Sequence, residues 1–396
     1  MKTDNRAEVQ PDILTAVPVM ERDRITELDG FRGAAVLAIV VLHYVIHHLQ
    51  SVPGSLFAYT QKYLMFLWIG VDAFFVLSGF LIAGILIDQR EAKNYFRVFY
   101  LRRSLRIFPL YYFLIVCWVV VTVTLASVPG MRWLLQPDVS YWSYLVYGQN
   151  FMMAALASTG PNFVAATWSL AVEEHFYLVL PMVVRWIRPA ILPRVLVFGV
   201  VLAPILRLVF SYLGPAWNEA QILLLPSRCD SLLLGAFVAW AVRDSVSRDW
   251  LARNRAGLLN LLGVLGIFLG ACPVLLANPH ALHSPLLAFS VYTAVAAFFA
   301  TLLLLLHLRY LPIVARVLSG KILRYFGRIS YTMYLFHTAI LGLVFALLFG
   351  KEPILAGWSD WGAMLLAFCM TVVFAQLSWH FVEGRLISCG HRMRYA

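Results

Sequence analysis

Charge is scarce in this sequence. Asp, Glu, Lys and Arg make up 13% of its 396 residues, against about 25% in ordinary soluble domains. Hydrophobic residues make up 61%. The shortage excludes a soluble globular protein, because too little polar surface remains to cover such an apolar interior. Cysteines are few and scattered. Cys117, Cys229, Cys272, Cys369 and Cys389 lack the paired spacing of a redox or zinc motif, and they read as small apolar side chains rather than disulfides. Residues 1–24 lack the apolar run of a cleavable leader, so the first helix is expected to act as an uncleaved targeting signal. There is no low-complexity tract, no linker and no repeat with a solenoid period.

What is present is a series of long apolar runs. A membrane-crossing helix needs about 20 mostly apolar residues. That length predicts spans near 31–50, 63–88, 107–128, 165–186, 195–213, 228–242, 257–277, 285–307, 329–349 and 361–382. The expected fold is all-α: a polytopic transmembrane helical bundle of about ten spans. It would form one membrane domain over 25–384, between a polar segment at 1–24 and a short basic tail at 385–396. Residues 141–156 are aromatic and apolar but contain Gly148, Gln149 and Asn150, so they are expected to be interfacial or re-entrant rather than an eleventh span.

The net charge of +11 is explained by short basic clusters between spans, which argues against a nucleic-acid partner. With the N-terminus inside, ten spans put 25 of the 31 Lys and Arg residues on the inner side, 4 outside and 2 within spans. This bias predicts that both termini, and the loops 89–106, 185–194, 243–256 and 308–328, are cytoplasmic. The long outer connection, 129–164, holds Trp133, Tyr141, Trp142, Tyr144 and Tyr147. Aromatics there anchor at lipid headgroups or, less simply, stack on sugar rings.

Ionisable groups inside lipid are costly and mark function more often than scaffold. In the first span Arg32 and His43 are eleven residues apart, three turns plus about 20°, and so share a helix face. Arg32 alone is satisfied by snorkelling to lipid phosphate; His43, deeper in the span, has no such route. His43 and His47 have the i, i+4 spacing of metal ligands but lack a further ligand, so no metal is expected. Asp72 in the second span needs a partner, either His43 or an arginine. Ser78 and Gly79 lack the glycine two residues before a nucleophilic serine and read as packing residues. Arg103 and Arg106 share a face at the inner end of the third span, where guanidinium groups suit phosphates; topology and lipid headgroups explain them equally well. Glu173, Glu174 and His175 open the fourth span, and one carboxylate is a candidate for orienting a catalytic imidazole. Arg228 and Asp230 read as a structural ion pair. His337 is either structural or part of a donor tunnel.

The strings LDGFRGAAVLAIVVLHY, GVDAFFVLSGFLI, FYLRRSLRIFPLYY, TWSLAVEEHFYLVLP, RCDSLLLGA, RISYTMYLFH and FVE follow one another from about residue 25 to 383. In this order and spacing they resemble acyltransferase family 3, the O-antigen acetylase-like integral membrane enzymes. The resemblance implies a ten-helix domain that uses cytoplasmic acyl-CoA, acetyl-CoA above all, as donor substrate and modifies a carbohydrate hydroxyl. The acceptors implied are surface polysaccharide, lipid-linked glycan or peptidoglycan, with macrolides in some members. His43 is implied as the key catalytic residue. Arg32 carries over from the Arg-x10-His motif, and Arg103 and Arg106 from the Arg-x-x-Arg motif. Two positions depart from the family pattern: His175 stands where Gln is usual, and Gly384-Arg385 follows Glu383 where Lys-Pro is common. The family's fused extracytoplasmic hydrolase-like domain is not expected here.

The leading expectation is direct acyl transfer with His43 as general base, Glu173 or Asp72 fixing its tautomer, and Arg32, Arg103 and Arg106 binding the CoA phosphates. An acyl-histidine carrier is the variant of this scheme. The bacterial inner (plasma) membrane is the expected location. The rival from another class is a transporter or flippase, against which stands the lack of paired broken segments in two matching halves. A membrane sensor or scaffold leaves the buried charges unexplained.

Overall fold

The computed structural model describes residues 26–50, 55–136, 139–275 and 285–396; the polar segment 1–24 lies outside them. Ten helices of 16 residues or more are formed among the described residues. They are α1 (Thr26–Val41), α2 (Gly70–Asp88), α3 (Tyr95–Leu125), α4 (Thr167–Trp186), α5 (Leu192–Leu213), α6 (Leu225–Ala241), α7 (Arg255–Leu275), α8 (Pro285–His307), α9 (Lys321–Phe349) and α10 (Trp358–Ser378). Nine of these lie in stretches long and apolar enough to cross a membrane. The exception is α4, 20 residues long, whose hydropathy is lowered by Glu173, Glu174 and His175. Exposed Val123, Phe198, Ile267 and Leu365 line the flanks of the bundle, where lipid is the only solvent that favours them.

Several helices begin earlier than the apolar runs do. The third span was expected at 107–128, yet α3 starts at Tyr95 and continues through Pro109. Much of the 89–106 connection is therefore helix, and Arg97, Arg102, Arg103 and Arg106 stand on its first three turns. In the same way α9 starts at Lys321 rather than 329. Residues 141–156 do not cross. They form two short helices, Tyr141–Leu145 and Gln149–Ala155. The buried Gln149 amide donates to the Thr167 carbonyl at 3.2 Å. Asn150 donates to the Trp168 and Leu223 carbonyls at 2.8 and 2.7 Å. These amides tie the segment to the start of α4 and to the short helix Asn218–Leu223.

Close backbone contacts set the core. α2 packs on α1, α4, α6 and α8, and α9 packs on α1 and α10. A Cβ on Gly79 would lie 1.9 Å from the Leu232 carbonyl oxygen, so α2 and α6 meet at backbone distance, as the packing reading of that position requires. A Cβ on Gly33 would lie 1.9 Å from the Leu323 oxygen, and one on Gly327 would lie 1.7 Å from the Asp29 oxygen. α1 and α9 therefore meet through these two glycines. They run parallel, since Gly33 meets Gly327 and, further along both, His43 meets His337.

Two buried ion pairs tie α6 to its neighbours. Nη2 of Arg228 donates to both oxygens of Asp72 at 3.0 Å, and the Ser231 hydroxyl adds a bond of 2.6 Å. Arg207 donates to Asp230 at 2.8 Å, and Thr293 donates to the same oxygen at 2.7 Å. Arg228 and Asp230 were expected to pair with each other. Instead each reaches to a neighbouring helix, α2 and α5 respectively, because residues two apart on a helix point in different directions.

Candidate active site

Two cavities lie end to end between α1, α2, α4 and α9. The first, of about 100 Å³, is lined by Arg32, Arg103, Arg106, Glu173 and Tyr177, with apolar walls. The second, of about 650 Å³, is lined by His43, His47, His48, Trp68, Trp133 and Trp168 among others. Val71 and Tyr334 belong to both. The Tyr334 hydroxyl lies 2.5 Å from that of Ser169, across the shared wall.

In the arginine cavity, α1 supplies Arg32 and α3 supplies Arg103 and Arg106. Arg32 has Asp29 at 3.7 Å. Among the described residues neither Arg103 nor Arg106 forms an ion pair. Arg103 stacks over the Tyr177 ring at 5.5 Å. The Tyr177 hydroxyl donates to Ser78 at 3.2 Å, and Ser78 donates to Glu173 at 2.7 Å. Arg102 points elsewhere: it donates to the Met393 carbonyl and stacks over Tyr395 at 5.0 Å. Three guanidinium groups face Glu173 in the lining, with Asp29 beside Arg32, and the remaining positive charge suits a polyanionic ligand.

In the histidine chamber, α1 loosens into a π-helical turn, Leu42–Ile46. Such bulges often mark functional positions. His43 is half-buried there. Its Nδ1 lies 2.7 Å from Nε2 of the fully buried His337. His337 Nδ1 lies in turn 2.6 Å from the Tyr334 carbonyl oxygen. The two imidazoles are nearly parallel, with 5.0 Å between centroids. Among the described residues Nε2 of His43 has no hydrogen-bond partner. His47 is 5.1 Å from His43, ring to ring, and His48 packs edge-on against Trp133 at 5.5 Å.

Both carboxylates that were expected to fix the His43 tautomer sit elsewhere. Asp72 takes the arginine alternative, as the partner of Arg228. Glu173 lies in the arginine cavity, bonded to Ser78. Of the adjacent pair, Glu173 lines that cavity and Glu174 does not. His175 points away from both cavities, and its Nε2 donates to the Tyr147 carbonyl at 3.1 Å. That bond helps to hold Tyr147 at a positive φ of 57°, a conformation uncommon outside glycine.

Residues 25–380 match the acyltransferase domain family. The chain belongs to that family. It is 27% identical over 377 residues to the peptidoglycan O-acetyltransferase OatA of Listeria monocytogenes, covering 91% of this chain and 56% of that protein. It is 26% identical over 373 residues to the O-acetyltransferase OatA of Staphylococcus aureus, covering 90% and 56%. The chain thus spans about half the length of these curated relatives. No solved structure matches it.

Within this acyltransferase domain the Arg-x10-His spacing has a structural meaning. Arg32 stands in one cavity and His43 in the next, on one helix. Sequence reasoning passed over Tyr334 and Ser169, whose bond stands between the cavities. It placed His337 with the donor tunnel or the scaffold, whereas the structure sets it against His43. The signal present was the Tyr334–His337 spacing of three in the string YTMYLFH, which stacks both on one helix face.

Proposed function

We propose that this chain is an integral membrane O-acyltransferase. It moves an acyl group, acetyl by preference, from acyl-CoA to a carbohydrate hydroxyl. The observation that carries this reading is the pair of cavities meeting at Val71 and Tyr334, one cationic and narrow, the other roomy and lined by three imidazoles and three tryptophans. Arg32, Arg103 and Arg106 hold the donor's phosphates. The narrow apolar stretch beyond them suits the thioester arm but not the nucleotide. The 650 Å³ chamber lies within the range of about 300–1,000 Å³ usual for ligand sites, and its indole faces suit sugar rings.

The reaction follows from the position of His43. Its free nitrogen takes the proton of the acceptor hydroxyl while the hydroxyl oxygen attacks the thioester carbonyl carbon. The tetrahedral intermediate collapses, the carbon–sulfur bond breaks, and the proton passes from His43 to the departing sulfur. The products are an O-acyl ester and free CoA thiol. Glu173, through Ser78 and Tyr177, keeps Arg103 in place. Asp72 holds the scaffold through Arg228.

The Lys and Arg distribution supports an arginine cavity that opens to the cytoplasm and a histidine chamber toward the outer side of a bacterial inner membrane. Peptidoglycan, the substrate in the name of the Listeria relative, is one acceptor of the right kind; surface polysaccharide and lipid-linked glycan are others. The test is to supply radiolabelled acetyl-CoA to membranes that contain or lack the protein. Label on base-labile ester in the glycan fraction, lost in His43→Gln, is expected. Glycan moved across the membrane without label would return the chain to the transporter class.

A further inference from the structure

We infer that His337 is a positioning residue that fixes His43 in the Nδ1–H tautomer and so turns the His43 Nε2 lone pair into the chamber. The inference rests on the reading of His43 as general base. It follows from elimination along one chain of contacts. The Tyr334 carbonyl oxygen can only accept, so His337 Nδ1, 2.6 Å away, carries a hydrogen. A neutral imidazole has one N–H, which leaves a lone pair on His337 Nε2. That lone pair faces His43 Nδ1 at 2.7 Å, so His43 carries its hydrogen on Nδ1. The nitrogen left without hydrogen is His43 Nε2, in the ring that lines the acceptor chamber.

This arrangement differs from the usual carboxylate-oriented histidine. The orienting group is itself neutral and basic. When His43 gains the acceptor's proton on Nε2, its Nδ1–H bond to His337 becomes charge-assisted and strengthens. The Nδ1 proton can shift to His337, spreading one positive charge over two rings where a lone imidazolium is poorly solvated. The converse also holds. A proton already on His337 would donate to His43 Nδ1 and force the His43 hydrogen onto Nε2, abolishing the base. The dyad is active only when it holds no extra proton.

The surroundings leave the two rings to each other. From the α1 side, His47 and His48 flank His43, and the Tyr44 hydroxyl donates to the His337 carbonyl at 2.9 Å. From α9 comes Tyr334, 5.9 Å from His337 between ring centroids. From α10 comes Thr371, bonded to Tyr44 at 2.8 Å. α2 presents Val71, with Asp72 committed to Arg228. The segment before α4 presents Asn162, and Glu352 stands among the chamber-lining residues. No ion pair joins either imidazole to a carboxylate among the described residues.

The experiment compares wild type, His337→Gln and His337→Leu in the full-length protein, with acetyl transfer followed from pH 5 to 9, a range that brackets the ordinary histidine pKa of about 6.5. Glutamine can offer its amide oxygen near the position of Nε2, but it cannot take up a proton. His337→Gln should keep activity within about tenfold, and the acid limb of its kcat/KM profile should move to lower pH. His337→Leu should lose on the order of 10²-fold or more, as expected for a misoriented base. Because His337→Leu can fail to fold, ¹⁵N-histidine solid-state NMR of the wild type gives a second reading, with the His43 signal assigned by its loss in His43→Gln. A dominant Nδ1–H form is expected there. An Nε2–H form, full activity in His337→Leu, or equal loss in both variants with an unmoved acid limb overturns the proposal. The base reading fails separately, when His43→Gln itself stays active.

Discussion

The Tyr334 hydroxyl lies 2.5 Å from the Ser169 hydroxyl, and this bond joins α9 to α4 at the wall common to the two cavities. A thioester must pass that point to meet the acceptor, so the tyrosine also separates the donor from water on the other side. Tyr334→Phe removes the bond but keeps the ring; Tyr334→Ala removes both. Acceptor-independent release of CoA thiol should rise several-fold in Tyr334→Ala and less in Tyr334→Phe, read with a thiol reagent. Release unchanged in both variants would remove the barrier role.

Among the described residues Arg103 and Arg106 form no ion pair, whereas Arg102 is committed to the Met393 carbonyl and the Tyr395 ring. Charge-assisted phosphate contacts contribute about 1.5–3 kcal/mol each. Arg103→Ala or Arg106→Ala should therefore raise the apparent KM for acyl-CoA by about tenfold or more, with a smaller effect on kcat. Arg102→Ala should leave KM near the wild-type value. A KM that moves for Arg102 and not for its neighbours would contradict the orientation seen here.

Much of the fold was legible because lipid leaves the backbone few choices. The ten runs became ten long helices, and the 141–156 segment did break, at 146–148, with Gln149 and Asn150 opening its second short helix. The ends were less legible. Hydropathy marks only the part of α3 that lipid covers, whereas its backbone bonds continue through the basic turn that carries Arg103 and Arg106. In the site, Arg32, His43, Arg103, Arg106 and Glu173 stood out as charges or imidazoles in apolar surroundings. Their partners did not. Whether Asp72 meets His43 or an arginine, and which group orients His43, depend on contacts across 156 and 294 residues. No local spacing encodes them.

The Asp72–Arg228 pair should behave as scaffold. Removing one partner of a buried pair costs about 3–5 kcal/mol, because the other charge is left uncompensated. Asp72→Asn and Arg228→Met should each lower the unfolding temperature in detergent sharply. Asp72→Leu combined with Arg228→Met should recover most of the stability and most of the acetyl transfer. A double variant that folds well but is inactive would restore a chemical role to Asp72.

Orientation can be tested in a cysteine-free background. Single cysteines at the exposed positions Glu91, Ala190, Asp249 and Arg316 should resist a membrane-impermeant thiol reagent applied to intact cells. Cysteines at Ser140 and Ala216, also exposed, should react. Labelling from outside at any of the first four would invert the assignment of the two cavities.

The glycine contact between α1 and α9 works as the pivot of a pair of calipers. Gly33 precedes His43 by ten residues, and Gly327 precedes His337 by ten. At about 1.5 Å per residue, the jaws stand about 15 Å from the pivot. The two helices leave that pivot in parallel, so the gap between the imidazoles is fixed by how closely two backbones approach in a region no substrate need touch. A single methyl group at Gly327 would press on the Asp29 carbonyl, spread the jaws and part Nδ1 from Nε2. In kinetic assays such a change would pass for the loss of a catalytic group.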